Sequence, residues 1–151
     1  MKHSCFFFFA LAALLQTYVL SAAGAGTECS ASFSNTGYTC PAPAPTVIYC
    51  HAGAFVLGNL DTDHHQCVTL ARGARCTVVS VDYRLAPEHP YPAALLDAAA
   101  VLTWARASAA DIGVDPARLA VAGSSAGAAL AAGLAQRCAE GELPPIVGVL
   151  L

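Results

Sequence analysis

The sequence predicts an α/β fold of three layers, with helices on both faces of a mostly parallel sheet that is incomplete at its C-terminal side. Three observations predict it. From residue 46 onward, short apolar runs alternate with stretches of helical length, the pattern of right-handed β-α-β crossovers. The runs are apolar almost throughout, as strands covered on both faces must be. The last run, Ile146–Leu151, ends the chain without polar residues after it, so it reads as a strand within a sheet that continues in a longer protein.

Each element follows from local chemistry. Thr46–His51 is a short apolar strand. Asp61–Arg72 has helical character, with Asp61 or Thr62 as cap and Gly73 as its end. Cys76–Tyr83 is dense in Val and Thr, hence a strand. Ala93–Ala107 places Leu95, Ala99 and Leu102 on one helical face. Asp115-Pro116 makes a turn and Arg118–Gly123 a strand. Ser125–Cys138 is a helix rich in Ala and Leu, ended by Glu140-Gly141 and kept from resuming by Pro144-Pro145.

Composition narrows the function classes. Of 151 residues, 56% are hydrophobic and only 11% charged, which excludes a disordered chain. The 12 Gly and 9 Pro follow no short period, which excludes a collagen-like polymer. One domain is expected at this length. Apart from Lys2, the basic residues are arginines scattered singly from Arg72 to Arg137. A nucleic-acid groove needs clustered cations to displace phosphate counterions, so no nucleic-acid partner is expected.

The first 25 residues read as a secretory signal peptide. Lys2 precedes an apolar stretch, Cys5–Leu15, and small residues follow at Ser21–Gly26. The alternatives are a membrane anchor over residues 5–25 and a buried strand or helix. Signal peptide or anchor places the chain in the secretory route or outside the cell. Residues 26–45 form a linker rich in Pro, Ser and Thr, leaving 46–151 as the domain. Of the seven cysteines, Cys29 and Cys40 flank a polar stretch and are the expected disulfide pair; those in apolar segments are expected to be buried, inert thiols. Asp61, Asp63, His64 and His65 fall together, but the acids suit a helix start, and neither a metal site nor a cofactor is expected.

The chemistry centres on Gly123-Ser124-Ser125-Ala126-Gly127, a G-x-S-x-G between a predicted strand and a predicted helix. In that context the serine is a nucleophile at a strained turn, with glycines removing Cβ atoms where strand and helix meet. The Ala126 N–H and the helix N-terminus then face a developing oxyanion. The alternative is a small-residue turn that lets a helix pack close. A second loop, His51-Ala52-Gly53-Ala54-Phe55, follows a strand and consists of small residues able to turn N–H groups outward. Its alternative is an ordinary glycine turn with His51 in the core.

Between the two stands Asp82-Tyr83-Arg84-Leu85-Ala86-Pro87-Glu88-His89-Pro90-Tyr91-Pro92-Ala93. With these three segments in this order, the chain from about Thr46 to Leu151 resembles the hormone-sensitive-lipase-like family of α/β-hydrolases, the alpha/beta hydrolase fold-3 family. That family carries H-G-G-G-[FW], D-Y-R-L-A-P-E-x-P-[FY]-P-A and G-D-S-A-G-G. The resemblance implies a serine hydrolase of carboxylesterase or lipase type acting on small-molecule carboxylic esters. Ser125 corresponds to the nucleophile; Gly53, Ala54 and Ala126 to the oxyanion-hole donors. His51, Gly123 and Gly127 correspond to supporting positions, and Asp82, Arg84 and Glu88 to a structural polar cluster.

Three family glycines are replaced, by Ala52, Ala54 and Ala128, and Ser124 stands where an Asp is usual. The histidines are 3, 51, 64, 65 and 89, all before Ser125, and only Glu140 and Glu142 follow it as acids. The family's triad order places an acid and then a His after the nucleophile. The sequence therefore reads as truncated before both and catalytically incompetent alone. The alternative function is a non-catalytic small-molecule binder or inactive fragment on the hydrolase scaffold.

Overall fold

The computed structural model describes residues 17–21 and 43–151. Most of the expected leader and linker, and the Cys29–Cys40 pair, lie outside the described residues. Among those described, the strands are β1 (Thr17–Ser21), β2 (Ala44–Cys50), β3 (Thr77–Val81), β4 (Val114–Gly123) and β5 (Gly148–Leu150). The helices are α1 (His64–Ala74), α2 (Ala93–Ala107), α3 (Ala109–Ile112) and α4 (Ala126–Ala139). The strands form one sheet in the order β1-β3-β2-β4-β5. β1 lies antiparallel on β3, and the other pairings are parallel.

Alternation along the central strands builds the two outer layers. Ile48, Cys50, Val79, Val81, Leu119 and Val121 turn to one face, against Leu95, Ala98, Leu102 and Ala105 of α2 and Leu130, Ala131 and Leu134 of α4. Tyr49, Val78 and Ala122 turn to the other, against Cys67 and Ala71 of α1. Each fully buried aliphatic side chain contributes about 1.5–3 kcal/mol. A three-layer α/β sandwich results, as the periodicities predict.

The boundaries moved where tertiary pairing overrode local signals. α2 spans the predicted residues. α1 begins later than predicted and passes through Gly73; it is closed by Arg75, whose φ of 50° lets its N–H reach the Ala71 carbonyl. β4 starts at Val114 because that residue pairs with Ala44, after which the register jumps to Thr46 opposite Leu119. The Asp115-Pro116 turn fills the jump. Asp115 Oδ1 accepts the Ala117 N–H at 2.9 Å, and Arg118 Nε donates to Asp115 Oδ2 at 2.6 Å. The short α3 has no periodicity long enough to announce it.

Parallel register sets the functional end. Cys50 lies opposite both Val81 and Gly123, so the loops leaving β2, β3 and β4 emerge together. Ligands in open α/β sheets bind beyond such C-terminal strand ends.

Candidate active site

Ser125 sits at the bend from β4 into α4, with φ 54° and ψ −113°. That backbone costs a non-glycine residue about 1–3 kcal/mol and persists only where its surroundings enforce it. Two glycines do so. A Cβ on Gly123 would strike the Gly127 carbonyl, and one on Gly127 would strike the carbonyls of Cys50 and His51. The first turn of α4 therefore rests directly on the end of β2. Ser124 N–H donates to the Cys50 carbonyl at 3.3 Å, fixing the elbow against the strand that leads into the second loop. Ser125 itself is exposed, while Ala126 and Gly127 are buried beneath it.

The loop after β2 is built from its peptide groups. His51 is 1% exposed, and its ring stacks on Tyr83 at 4.2 Å between centroids. The His51 carbonyl accepts the Tyr83 hydroxyl at 2.8 Å. The N–H across the same peptide, from Ala52, donates to Asp63 Oδ2 at 2.9 Å. The next carbonyl, of Ala52, lies 2.7 Å from His51 Nδ1, which assigns the ring proton to Nδ1 because a carbonyl only accepts. Among the described residues, Nε2 is then a buried acceptor without a hydrogen-bond partner. The Gly53 carbonyl accepts the N–H groups of Val56 (3.0 Å) and Leu57 (2.8 Å).

In a trans peptide the C=O and N–H point in opposite directions. Tying down the Ala52 carbonyl thus aims the Gly53 N–H away from the His51 ring. Tying down the Gly53 carbonyl aims the Ala54 N–H away from the 56–57 turn. Among the described residues, the N–H groups of Gly53, Ala54 and Ala126 donate to no protein acceptor. A site with unpaired N–H groups on two adjoining loops and a hydroxyl at a helix N-terminus suits an anionic oxygen bound beside a nucleophile.

Glycine freedom is needed at Gly53, φ 142°, where a Cβ would collide with the Leu57 carbonyl, and at Gly58, φ 103°, which lies against the His51 ring. Of the three alanines standing where the resembled family has glycine, only Ala54 takes a left-handed backbone, φ 52°. Ala52 has no positive φ, and Ala128 lies inside α4, where alanine is the favoured residue.

The polar cluster expected from Asp82, Arg84 and Glu88 does not close on itself. Arg84 instead makes a bidentate pair with Asp97 of α2, at 2.8–3.1 Å, and its backbone N–H also reaches Asp97 at 2.9 Å. Asp97 holds the Arg84 guanidinium above its ordinary range. Glu88 is exposed, and burial raises the Asp82 carboxyl above its ordinary range.

Sequence reasoning missed Asp63, Tyr83 and Asp97 as site builders. The sequence offers Asp61 or Thr62 as cap and Asp63 only as an acid near a helix start; Asp63 occupies the cap position but makes no side-chain cap bond. It turns inward to Ala52 N–H and to the Tyr49 hydroxyl, 3.3 Å away. No local signal distinguishes these uses.

Residues 47–151 match a family model described as alpha/beta hydrolase fold. The chain is 54% identical over 115 residues to Esterase LipI of Mycobacterium tuberculosis, covering 75% of this chain and 36% of that protein. It is 50% identical over 107 residues to Carboxylesterase NlhH of the same species, covering 71% and 34%. The chain thus spans about a third of the length of these curated relatives. Among solved structures, esterase LipW from Mycobacterium marinum superposes with a TM-score of 0.72 at 51% identity, over 95% of this chain and 46% of that one.

Proposed function

This chain belongs to the alpha/beta hydrolase fold family, and we propose that it is the nucleophile-bearing part of a serine carboxylic ester hydrolase. The observation that carries the proposal is the exposed Ser125, held at φ 54° on the first turn of α4. The relatives named esterase and carboxylesterase support it. In the proposed reaction Ser125 Oγ bonds to the ester carbonyl carbon, and the C=O electron pair moves onto oxygen. The N–H groups of Gly53, Ala54 and Ala126 receive that oxyanion. Collapse re-forms the carbonyl, breaks the bond to the alcohol oxygen, which takes up a proton, and leaves an acyl-serine for water to cleave.

The serine proton needs an acceptor, and no His follows Ser125 in these 151 residues. His51 is buried with Nδ1 engaged. These residues therefore provide nucleophile and oxyanion donors, and a base must come from elsewhere for efficient turnover. A scaffold without its base retains on the order of 10³–10⁴-fold catalysis over water.

A fluorophosphonate tests the reading directly. The expected result is a single covalent adduct on Ser125, formed slowly because no base is at hand, at the residual rate that oxyanion donors alone support, and lost in Ser125→Ala. An unlabelled chain that still binds a non-hydrolysable ester analogue favours the second reading, a small-molecule binder. We further propose export directed by residues 1–25. Cleavage there would remove β1 and leave β3 as the edge, and the N-terminal sequence of the exported product checks it.

A further inference from the structure

We propose that Asp63 is a positioning residue for the oxyanion loop, acting through the Ala52 peptide; this rests on the reading of Gly53 and Ala54 as oxyanion donors. Asp63 is 8% exposed, and among the described residues it forms no ion pair. A buried carboxylate without a cation is tolerated only when hydrogen-bond donors surround it. Here the donors are the Ala52 N–H at 2.9 Å and the Tyr49 hydroxyl at 3.3 Å. The tyrosine's single proton is shared with Gln66 Oε1, 2.9 Å away, which leaves the Ala52 N–H, at 2.9 Å, as the firmer donor to Asp63.

The consequence runs outward through successive peptides. Asp63 holds the N–H side of the 51–52 peptide, and Tyr83 holds its C=O side. With that plane fixed, the Ala52 carbonyl meets His51 Nδ1 and the Gly53 N–H is left facing outward. An ionised carboxylate only accepts, so it permits one orientation of the Ala52 N–H. Without it, the 51–52 peptide keeps one anchor and rotates about it, and the first oxyanion donor loses its aim. Asp63 touches no reacting atom and is not a catalytic residue.

Two measurements on the 151-residue chain test this. The first is amide hydrogen exchange at Val56 and Leu57, whose bonds to the Gly53 carbonyl report loop closure. Asp63→Ala is expected to speed both by at least about 10-fold, the loss of roughly one hydrogen bond, with Ile48, Val79 and Val121 unchanged. Asp63→Asn, whose side-chain oxygen still accepts both bonds, is expected to restore protection. The second is the rate at which Ser125 displaces fluoride from a fluorophosphonate, forming the O–P bond and releasing the hydroxyl proton to solvent. It is expected to fall at least about 10-fold in Asp63→Ala, since a whole oxyanion donor is worth 10²–10³, and to recover in Asp63→Asn.

If Asp63→Ala does not fold, Asp63→Ser serves in its place, because serine caps α1 but is too short to reach Ala52. Unchanged Val56 and Leu57 exchange, or an unchanged labelling rate in a folded variant, overturns the proposal. A wild-type chain that never labels removes the hydrolase reading instead, and the exchange arm then decides alone whether Asp63 holds the loop.

Discussion

Ser125 and the glycines around it show how much one backbone angle asks of its neighbours. The G-x-S-x-G made the strained serine legible, because the motif encodes a local steric need. The same logic gives a paired prediction. Gly127→Ala drives a methyl into the Cys50 carbonyl and is expected to destabilise the fold by about 3 kcal/mol or more, in the range of overpacked or strained sites. Gly73→Ala adds a methyl with nothing within 4 Å, inside α1, and should stabilise by roughly 0.5–1 kcal/mol. Urea denaturation of the two variants should shift in opposite directions. Asp63 and Asp97 were not legible at this scale. Their partners, Ala52 and Arg84, lie 11 and 13 residues away in the chain, beyond any helical or strand period, and only the completed fold brings them together.

Elements were legible where the hydrophobic period was long and continuous, as in α2. They were blurred where a terminal residue answered to a partner across the sheet, as Val114 does to Ala44. The joint between β3 and α2 is the clearest case. The chain leaving β3 is tied to the helix by Asp97, whose side chain is 7% exposed and accepts from Nε, Nη2 and the backbone N–H of Arg84. Asp97→Ala should cost about 2–4 kcal/mol, read as a lower denaturation midpoint. The Arg84 side chain is 49% exposed and water recovers part of its loss, so the value falls below that of a fully buried pair. Asp97→Asn, which keeps one acceptor for the Arg84 N–H, should lose less.

At the scale of the whole molecule, the three layers and the parallel order were legible because apolar strands and amphipathic helices admit few other arrangements. The β1 pairing was not, because its residues also suit a leader. The finished core sets the response to alkali. Burial pushes the Cys50 thiol up to about 12 and the Cys67 thiol up to about 11, whereas an unfolded thiol ionises near about 8.5. Both folded values are raised, so their contribution is complete below about pH 8.5 and is lost as pH climbs toward the folded values. The urea midpoint should therefore drop between pH 8 and pH 10, and drop less in Cys50→Ala. At the far side of the sheet, β5 pairs with β4 alone among the described residues, and Val149 and Leu150 are 45% and 60% exposed. A ribbon of open peptide groups flanked by greasy side chains is a template. In a preparation of residues 1–151 alone, two such margins brought together zip into a continuous ladder, so light scattering should climb with protein concentration, and a lysine in place of Val149 should keep the solution clear.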